Sequence, residues 1–600
     1  MNIVNKLPTA YPAQTAEAGW DQSSFERFRT IWVIDFEFGQ NNNLLPEIRC
    51  MAAHELRSGK CVALWEDTLL KLPKAPFDVG EDALVVVFYG LAEINCFAQL
   101  DWPYPDNLID LYAECRCKWN GVQLEGSGLI DFAKRLGVIA PDEVHKEGMR
   151  NLALRGGSYS KEERSDLIGY CKEDVATTAG MFRNLTGMGW FGTLERVGQA
   201  LLRGQYVNAL TDIERLGVPI DRKMLSVFRD NWGEIRKELI ADVDQDFLVY
   251  DGETFKEARF VEYLSRTNTP WPRSENGRLK LDAKTFKARA LLYPDIEPLR
   301  VLRKSLSQAR EIKLTVGADG RNRYMQSPFG TVTGRNNPST PKAAFGLSRW
   351  MRGFVRPVEG RGLSYTDWSQ QEFGIAAALS RDPEMQAAYL SGDPYLTFAK
   401  QAGAAPPDAT KQSHPDVREL YKTCILSVQY QMTAQGLSQR LDRPLHEARD
   451  LLNQHRRLYG RYWGWIERVT DHAFLNKEME ACFGWRLNVS TQTKPRTVAN
   501  FQMQANGAEM LRLAVILGRE NDIDICATIH DAILIEAKLE ELDVQTTVMQ
   551  SCMAEASRLV LDGFELRSEA EYTRYPEAFG GRQGPMWDLI QSMTGGVHGR

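Results

Sequence analysis

The chain has 600 residues, more than one hydrophobic core usually covers, and this length predicts about three or four domains. With 43% hydrophobic and 25% charged residues, the composition is that of a folded protein and excludes a disordered or collagen-like chain. The formal net charge of −6 excludes a uniformly basic surface, although it leaves room for a local basic patch.

Cysteine spacing and hydropathy indicate the compartment. The ten cysteines are scattered, and no CxxC pairs with a second CxxC or an HxxxH, which argues against a zinc site or a disulfide framework. The N-terminus lacks a basic start followed by an apolar core, and no run of about eighteen apolar residues occurs. We therefore expect a cytoplasmic protein without a membrane partner.

The first segment alternates strand and helix patterns, typical of an α/β domain of about 160 residues. In the strand "IWVIDFEFG" (31–39), Asp35 and Glu37 point to one face, where Mg²⁺ or Mn²⁺ would neutralise them. In the helix "DLIGYCKEDVATTAGMFRNL" (166–185), Tyr170 and Asp174 share a face and add a third carboxylate and a phenol that positions water. A solvated strand face explains the DxE letters equally well, and the YxxxD pattern shifts the balance toward a metal site.

These motifs resemble those of the DEDD-type 3′-to-5′ proofreading exonucleases, whose first motif is DxE and whose last is YxxxD. The resemblance implies an RNase H-like domain that hydrolyses phosphodiesters with two metal ions. It implies Asp35, Glu37 and Asp174 as metal ligands and Tyr170 as the group that orients the attacking water.

The fourth acid of this family is harder to locate. The family has an Asp preceded by Asn four residues earlier, whereas this chain has "FYGLAEINCF". We predict Glu93 as this metal ligand, with Tyr89 in the position of the Asn, and Asp110 as the alternative.

Helical patterns dominate from about 191 to 316, and a strongly basic segment spans 300 to 361. Its thirteen basic residues stand against Glu311, Asp319 and Glu359, so its formal charge is 13 − 3 = +10. Aromatic residues are interleaved with them, which predicts a phosphate-binding footprint rather than a solvated face. The basic residues are Arg300, Arg303, Lys304, Arg310, Lys313, Arg321, Arg323, Arg335, Lys342, Arg349, Arg352, Arg356 and Arg361.

Two acids far apart in the sequence are predicted to converge. "SYTDWSQQEFG" (364–374) has Asp367 at the end of a strand and Glu372 at the start of a helix. "DICATIHDAILIEA" (524–537) predicts a hairpin with His530 and Asp531 at its turn. Each Asp alone also fits a turn residue. Together with two Mg²⁺ ions, they would activate a 3′-hydroxyl and stabilise a leaving pyrophosphate.

The segment between these acids favours the catalytic interpretation. In "VRELYKTCILSVQYQ" (417–431), Arg418, Lys422, Leu426 and Tyr430 recur every four residues and share one broad helix face. A nucleoside triphosphate along this face would meet the two cations with its phosphates and the other two side chains with its sugar and base. An ordinary amphipathic helix would not account for the two acids and the basic segment as well.

Residues from about 191 to 600 resemble the family A DNA polymerases, the group of bacterial DNA polymerase I and many phage replicases. "SYTDWSQQEFG" is similar to DYSQIELR, "RELYKTCILSVQYQ" to RxxxKxxxFGxxYG, and "IHDA" to VHDE. "TVTGRNNPS" is similar to TGRLSS, and "RTVANFQMQANGAEM" to RxxxNxPMQGxAAD. The resemblance implies a replicative DNA polymerase of phage type with two Mg²⁺ ions at each of two sites, or Mn²⁺ in their place.

The resemblance also implies roles for individual residues. Asp367 and Asp531 would be the metal-binding catalytic acids, and Glu372 the steric gate against a 2′-hydroxyl. Lys422 would also act as general acid toward pyrophosphate. The implied nucleotide-binding residues are Arg418, Lys422, Leu426, Tyr430 and Glu372. The implied DNA-binding residues are Arg335, Arg496, Asn500, Gln504 and His530.

The implied architecture is a multidomain α/β and α+β chain, with an RNase H-like exonuclease domain followed by a right-hand polymerase. Its partners would be primer-template DNA, deoxynucleoside triphosphates and replication accessory proteins, in a bacterial host cytoplasm if the enzyme is phage-encoded. A single-subunit RNA polymerase and a catalytically inactive DNA-binding replication scaffold are the alternatives. The predicted boundaries are 1–26 lead segment, 27–190 exonuclease domain, 191–316 thumb, 317–383 palm, 384–492 fingers and 493–600 palm again.

Overall fold

The computed structural model describes residues 22–40, 45–310, 314–339, 341–347, 349–580, 587–588 and 592. Glu311 and Lys313 of the basic segment, and most of the predicted lead segment, lie outside the described residues. No helix within the described ranges is long and apolar enough to cross a membrane.

The predicted exonuclease domain contains a five-stranded mixed sheet. Its strands are β1 (Thr30–Gln40), β2 (Pro46–Glu55), β3 (Cys61–Trp65), β4 (Ala83–Val87) and β5 (Leu108–Asp110). Its helices are α1 (Glu66–Leu69), α2 (Gly90–Gln99), α3 (Leu111–Lys118), α4 (Leu129–Arg135), α5 (Glu143–Arg155) and α6 (Lys161–Gly187). The strand order is β3-β2-β1-β4-β5, with β1 antiparallel to β2 and parallel to β4. Strand β4 is buried along its whole length, as expected for a parallel strand covered on both faces.

Helix α6 begins at a capping box. Ser160 Oγ accepts a hydrogen bond from the Glu163 amide at 3.1 Å, and the Glu163 carboxylate accepts one from the Ser160 amide at 2.8 Å. Such reciprocal bonds satisfy the first free amides of a helix and define its start. The cap therefore helps to set the helix turns that carry Tyr170 and Asp174 against β1.

The segment predicted as the thumb divides between two hydrophobic cores. Helix α7 (Leu194–Leu216) buries Val207 and Leu210 in the larger core, which also contains β1 residues. The rest of the segment packs in a smaller core with Trp350. Its elements are β6 (Val218–Pro219), α8 (Arg222–Asp230), α9 (Trp232–Phe247), β7 (Tyr250–Asp251), β8 (Thr254–Phe255), α10 (Glu257–Arg266), α11 (Ala283–Leu292) and α12 (Glu297–Arg310). The helix α7 thus packs with the predicted exonuclease domain, and the thumb boundary at 191 stays a prediction.

The C-terminal half combines a four-stranded sheet with many helices. The sheet has the order β13-β14-β10-β15, and β10 is antiparallel to both its neighbours. Helix α20 packs on α21, which in turn packs against β10. In chain order the elements are β9 (Arg321–Asn322), β10 (Arg361–Trp368), α13 (Gln371–Ser380), α14 (Pro383–Leu390), α15 (Pro394–Gln401), α16 (Pro415–Gln429), α17 (Ala434–Leu441), α18 (Leu445–Leu458), α19 (Gly460–Asn476), β11 (Glu478–Glu480), β12 (Arg486–Asn488), α20 (Pro495–Glu520), β13 (Ile525–Ile529), β14 (Ala532–Lys538), α21 (Leu542–Val560) and β15 (Ser568–Arg574).

A buried ion pair joins α7 to α3. Arg203 Nε lies 2.6 Å from Glu114 Oε1, and the two side chains are 3% and 1% exposed. Trp190 Nε1 donates to the second Glu114 oxygen at 2.9 Å, and Arg203 Nη1 donates to the Phe483 carbonyl at 3.2 Å. This network therefore connects three parts of the chain that are distant in sequence.

We expect Arg203→Ala to lower the free energy of unfolding by about 3–5 kcal/mol, because Glu114 would remain buried without its cation. Thermal and denaturant unfolding would measure the loss. The control is Arg381→Ala, whose ion pair with Asp562 is exposed and should contribute little. Equal losses in the two variants would contradict a structural role for the buried pair.

Candidate functional site

The acids Asp367 and Asp531 lie together at one end of the four-stranded sheet. Asp367 is near the end of β10 and pairs with Ala532, the first residue of β14. Asp531 occupies the turn between β13 and β14, and its carbonyl oxygen accepts a hydrogen bond from the Trp368 amide at 3.4 Å. The structure thus forms the predicted hairpin and brings the two acids to one point.

Negative charge is concentrated around this acid pair. Burial and then the neighbouring Asp531 carboxylate raise the pKa of Asp367 to about 6, with smaller contributions from Glu569 and Glu571 of β15. Burial also raises the pKa of Asp531, although the positive charge of Arg335 opposes this shift. Because hard divalent cations bind carboxylate oxygens, this donor set fits Mg²⁺ or Mn²⁺.

Glu372 links the acid pair to the end of α16. The Tyr430 hydroxyl donates to Glu372 Oε1 at 2.9 Å, and Gln504 Nε2 donates to the Tyr430 oxygen at 3.3 Å. Arg335 Nη2 lies 3.8 Å from the same Glu372 oxygen. Burial raises the pKa of Glu372, the bonds to Tyr430 and the charge of Arg335 oppose the rise, and Asp531 adds to it. Tyr430 and Arg335 therefore meet at the Glu372 carboxylate, and Gln504 joins them through Tyr430.

Helix α16 presents its two cations next to acids. Arg418 Nε forms an ion pair with Asp393 Oδ2, and its guanidinium lies 5.5 Å from the centre of the Tyr395 ring. Lys422 Nζ lies 3.3 Å from Glu419 Oε2. A bound anion at this face would therefore compete with carboxylates that already hold the two cations.

The end of α16 differs slightly from the prediction. The helix ends at Gln429, so Tyr430 lies just beyond it, whereas Arg418, Lys422 and Leu426 lie within it. Tyr430 still reaches Glu372, and its side chain is 40% exposed. The four-residue spacing therefore predicted the shared face correctly up to the last helical turn.

The predicted DNA contacts lie on one helix and two loops. Arg496, Asn500 and Gln504 recur every four residues on α20 and share one side of it, from the exposed Arg496 to the half-buried Gln504. His530 is exposed at the turn before Asp531, with a left-handed backbone φ of 57°. Of these residues, Gln504 directly contacts the Glu372 network.

Many cations of the basic segment are already paired with carboxylates. Six of its cations are paired with acids, so fewer of them are free for phosphate than the formal charge of +10 counts, and the phosphate-binding footprint stays a prediction. These ion pairs are Arg300–Glu297, Arg321–Glu536, Arg323–Asp319, Arg335–Glu372, Arg356–Asp221 and Arg361–Asp524. Asp319 is one of the three acids counted within 300–361, whereas the other five acids lie outside that range and were not counted.

A second acid cluster lies in the predicted exonuclease domain. One oxygen each of Asp35, Glu37 and Asp174 lies within 4.8 Å of the other two. Burial raises the pKa of Asp35, and Asp174 and then Glu37 raise it further. Asp35 Oδ2 and Asp174 Oδ1 are buried and accept no hydrogen bond within the described structure. Carboxylate oxygens in this state fit a hard divalent cation.

Tyr170 and helix α5 border this cluster. The Tyr170 hydroxyl is hydrogen-bonded to Asp174, and burial followed by this carboxylate raises the pKa of Tyr170. The His145 ring lies 5.7 Å from the Tyr170 ring, centre to centre. The positive charge of Lys146 lowers the pKa values of Asp174 and Glu37, against the effect of burial. Lys146 thus partly compensates the negative charge of the cluster, and no sequence pattern indicated it.

Glu93 and Asp110 occupy different environments. Glu93 lies on α2, is 4% exposed, and its Oε2 atom is buried without a hydrogen-bond partner. Its pKa is raised by burial and then by Asp35. Asp110 instead caps α3, and its Oδ1 accepts from the Tyr89 and Tyr112 amides, both at 2.9 Å. Glu93 is therefore the acid with an oxygen available beside the cluster.

Residues 307–572 match the family model described as DNA polymerase family A. This part of the chain is similar to DNA polymerase family A. The matched residues include Asp367, Asp531, Glu372 and all of α16, whereas the predicted exonuclease domain lies outside them.

The similar curated proteins are bacterial DNA polymerase I enzymes. The DNA polymerase I of Aquifex aeolicus is 23% identical over 385 residues, 60% of this chain and 64% of that protein. The thermostable DNA polymerase I of Thermus thermophilus is 27% identical over 252 residues, 38% of this chain and 30% of that protein. The chain thus spans less than two thirds of the length of either relative.

A solved structure also resembles this chain. It is the POL domain of Pol1 from M. smegmatis, in complex with DNA primer-template and dNTP, with a TM-score of 0.68 and 17% identity. The likeness covers 92% of this chain and 96% of that one. At this identity it shows the fold alone, which is that of a right-hand family A polymerase.

Sequence reasoning missed the partners of several family A motif residues. Asp393, which pairs with Arg418, was visible only as a helix-cap signal before Pro394, because its side chain also caps α15. The bond between Tyr430 and Glu372 carried no signal, since each residue belongs to a separate motif. Only the folded chain brings these partners together.

We expect Glu93→Gln to weaken Mn²⁺ binding at the Asp35, Glu37 and Asp174 cluster by roughly 10- to 100-fold, because an acid beside the ligands is lost. Titration of Mn²⁺ by calorimetry would measure this, in a background with Asp367→Asn and Asp531→Asn so that the other acid pair does not contribute.

Asp110→Asn is the matched comparison. It should leave Mn²⁺ affinity within about threefold and change stability by less than roughly 1 kcal/mol, since Asn caps a helix about as well as Asp. If Asp110→Asn lost Mn²⁺ binding while Glu93→Gln kept it, the assignment of Glu93 would be wrong.

Proposed function

We propose that the chain is a DNA-directed DNA polymerase that adds deoxynucleotides to a primer 3′-hydroxyl, with a 3′-to-5′ exonuclease in its N-terminal region. The observation that carries the polymerase proposal is the convergence of Asp367 and Asp531, next to Glu372 and the end of α16. The match of residues 307–572 to the model of DNA polymerase family A supports it independently. Primer-template DNA and deoxynucleoside triphosphates are the proposed partners, as in the complex of the similar POL domain.

The two polymerase acids are proposed to hold divalent cations, Mg²⁺ or Mn²⁺. When bound, such ions supply Lewis-acid activation of the primer hydroxyl and charge neutralisation at the phosphates. Burial raises the pKa of both Asp367 and Asp531, and the Asp531 carboxylate raises that of Asp367 further, so cation binding relieves an unfavourable concentration of charge.

Helix α16 is proposed to bind the triphosphate. Arg418 and Lys422 would exchange Asp393 and Glu419 for phosphate oxygens, so these acids keep the cations oriented before the nucleotide arrives. Lys422 is also the proposed proton donor to pyrophosphate. Leu426 lies one turn further along the helix, toward the sugar and base.

Glu372 and Tyr430 are proposed to select the sugar. Their hydrogen bond holds the Glu372 carboxylate in one position, and a fixed group can exclude an added 2′-hydroxyl better than a mobile one. Arg335, Arg496, Asn500, Gln504 and His530 are the proposed contacts to the primer end and the minor groove, where correct base pairs share acceptor positions.

The exonuclease proposal is supported by the second acid cluster. Asp35, Glu37, Asp174 and Glu93 would hold two divalent cations, and Tyr170 would orient the attacking water. The Tyr170 phenol remains protonated because burial and Asp174 raise its pKa, so it acts as a hydrogen-bond donor. A replicative role with accessory proteins in the cytoplasm is part of the proposal, and a phage origin stays a prediction because the relatives above are bacterial.

With Mg²⁺, we expect the parent chain to extend a primed template with deoxynucleotides but not with ribonucleotides alone. Asp367→Ala and Asp531→Ala should each slow extension by at least roughly 100-fold, because each removes a metal ligand. Gel-resolved extension would measure the rates.

Primer-template affinity should stay within about threefold of the parent in both variants, since phosphate contacts dominate affinity. Asp562→Ala removes an exposed acid and serves as the control. Extension with ribonucleotides alone would instead support an RNA polymerase, and no extension under any condition would support a DNA-binding scaffold.

The double substitution Asp35→Ala and Glu37→Ala should stop degradation of single-stranded 3′ ends and leave primer extension within roughly twofold of the parent. The two acid sites use separate side chains, and distant substitutions usually act independently. Digestion of a labelled oligonucleotide would measure the loss. Replacing the exposed Glu81 and Asp82 by Ala is the control, and persistent digestion in the Asp35 and Glu37 variant would contradict the exonuclease assignment.

A further inference from the structure

Arg335 lies at the end of a loop, residues 329–335, in which Thr331 makes the hydrogen bonds that close the turn. Within the loop, the Arg335 amide donates to Thr331 Oγ1 at 3.0 Å, and the Gly334 amide donates to the Thr331 carbonyl at 3.0 Å. The position of this loop therefore affects the distance of 3.8 Å between Arg335 Nη2 and Glu372 Oε1.

Donors from outside hold the backbone carbonyls of the loop. Two come from the polymerase region: Trp485 Nε1 donates to the Val332 carbonyl at 3.0 Å, and Arg512 Nη1 donates to the Gly334 carbonyl at 2.7 Å. Gly334 has a φ of 72°, and a Cβ atom there would lie 2.9 Å from the Trp485 ring. The loop is thus packed closely on one side.

The other donors come from the predicted exonuclease domain. Arg116 donates to the Phe329 and Gly330 carbonyls, both at 3.3 Å. Asn120 Nδ2 donates to the Val332 carbonyl and to the Arg486 carbonyl, both at 2.6 Å. Asn120 is 7% exposed, so water does not readily replace these bonds.

Both donors of the Asn120 side-chain amide are used. The NH₂ group has two donors, and each is directed to a different backbone carbonyl, which also fixes the orientation of the amide. The backbone carbonyl of Asn120 accepts from the Asn488 amide at 2.9 Å and from Asn488 Nδ2 at 2.8 Å. Asn120 therefore bridges loop 329–335 and the β11–β12 hairpin.

We infer that Asn120, in the predicted exonuclease domain, is a positioning residue for DNA synthesis: through loop 329–335 it holds Arg335 against Glu372 and the primer terminus. The inference rests on the proposed polymerase function. It assigns to the predicted exonuclease domain a role in synthesis that does not depend on its own acid cluster.

The experiment compares Asn120→Asp with a matched control, Asn107→Asp. Asn107 is also buried, at 5% exposure, and its Nδ2 also donates to two backbone carbonyls, those of Glu81 at 2.9 Å and Ala83 at 3.0 Å. Both Asn107 partners lie within the predicted exonuclease domain. Each substitution places a carboxylate next to two backbone carbonyls that it repels, but only Asn120→Asp affects loop 329–335.

For Asn120→Asp we expect the single-turnover rate of primer extension to fall roughly tenfold, equivalent to ~1.4 kcal/mol of transition-state stabilisation. The KM for primer-template should stay within about twofold, because phosphate contacts dominate affinity. The ratio of correct to mispaired primer extension should also fall, since Arg335 is proposed to read the primer terminus. Digestion of single-stranded 3′ ends should stay within about twofold of the parent.

Two further variants distinguish positioning from general damage. In an Arg335→Ala background, Asn120→Asp should slow extension by less than about twofold, because the residue through which Asn120 acts is absent. Arg116→Ala, at a half-buried position that need not disturb folding, should slow extension by roughly threefold through the same loop.

The inference is overturned if Asn107→Asp slows extension as much as Asn120→Asp. It is also overturned if Asn120→Asp slows extension by the full tenfold in the Arg335→Ala background. If Asn120→Asp does not fold, an unchanged extension rate in Arg116→Ala overturns it. A parent chain that extends no primer would overturn the proposed function and this inference with it. If the parent extends primers and Asn120→Asp extends them at the same rate, only the positioning role is overturned.

Discussion

The antiparallel pairing of β10 with β14 is the constraint on which the polymerase site depends. Because Asp367 pairs with Ala532, the turn residue Asp531 must lie beside it, whatever the electrostatic cost. The cost is visible in the pKa of Asp367, which burial and Asp531 raise to about 6. An acid whose pKa rises on folding lowers the free energy of unfolding as the pH increases. The loss grows from the unfolded pKa, about 4, up to the folded pKa. Above about pH 6 the cost is fully present, and a bound cation would offset it.

The acids of the two sites lie on different kinds of secondary structure. In the four-stranded sheet, Asp367 lies at a strand end and Asp531 in a turn, and Arg335 provides an opposing charge. In the predicted exonuclease domain, the acids come from β1, α2 and α6, several of their oxygens lack partners, and Lys146 of α5 provides the opposing charge. The second cluster is therefore the more strained of the two without a cation, and it depends on helix packing rather than on strand pairing. The capping box at Ser160 is one of the local features that control this packing.

The sequence predicted well those parts of the site that local periodicity determines. Asp35 and Glu37 share a strand face, Tyr170 and Asp174 share a helix face, and the hairpin turn falls at His530 and Asp531, because each depends on neighbours within a few residues. The sequence could not predict contacts made by tertiary packing. Helix α7 packs with the predicted exonuclease domain rather than with the rest of the predicted thumb, and the ion pairs of the basic segment use acids such as Glu536 and Asp524 from far along the chain. A count of charges within one stretch of sequence, such as 300–361, does not include such partners.

The junction between the two halves of the chain explains how sites with separate chemistry still depend on each other mechanically. Arg203 and Glu114 are buried together, and replacing either by a small residue would leave a charge in a region from which water is excluded. Close by, Gly121 has a φ of 83°, and a Cβ atom there would lie 2.5 Å from the Asn488 carbonyl oxygen. The predicted exonuclease domain thus approaches β12 at a distance that only glycine permits. An interface of this kind cannot open without breaking buried polar contacts, so movements of one half would be transmitted to loop 329–335. Removing acids from one site leaves these contacts intact, whereas removing the domain would remove the donors that loop 329–335 needs.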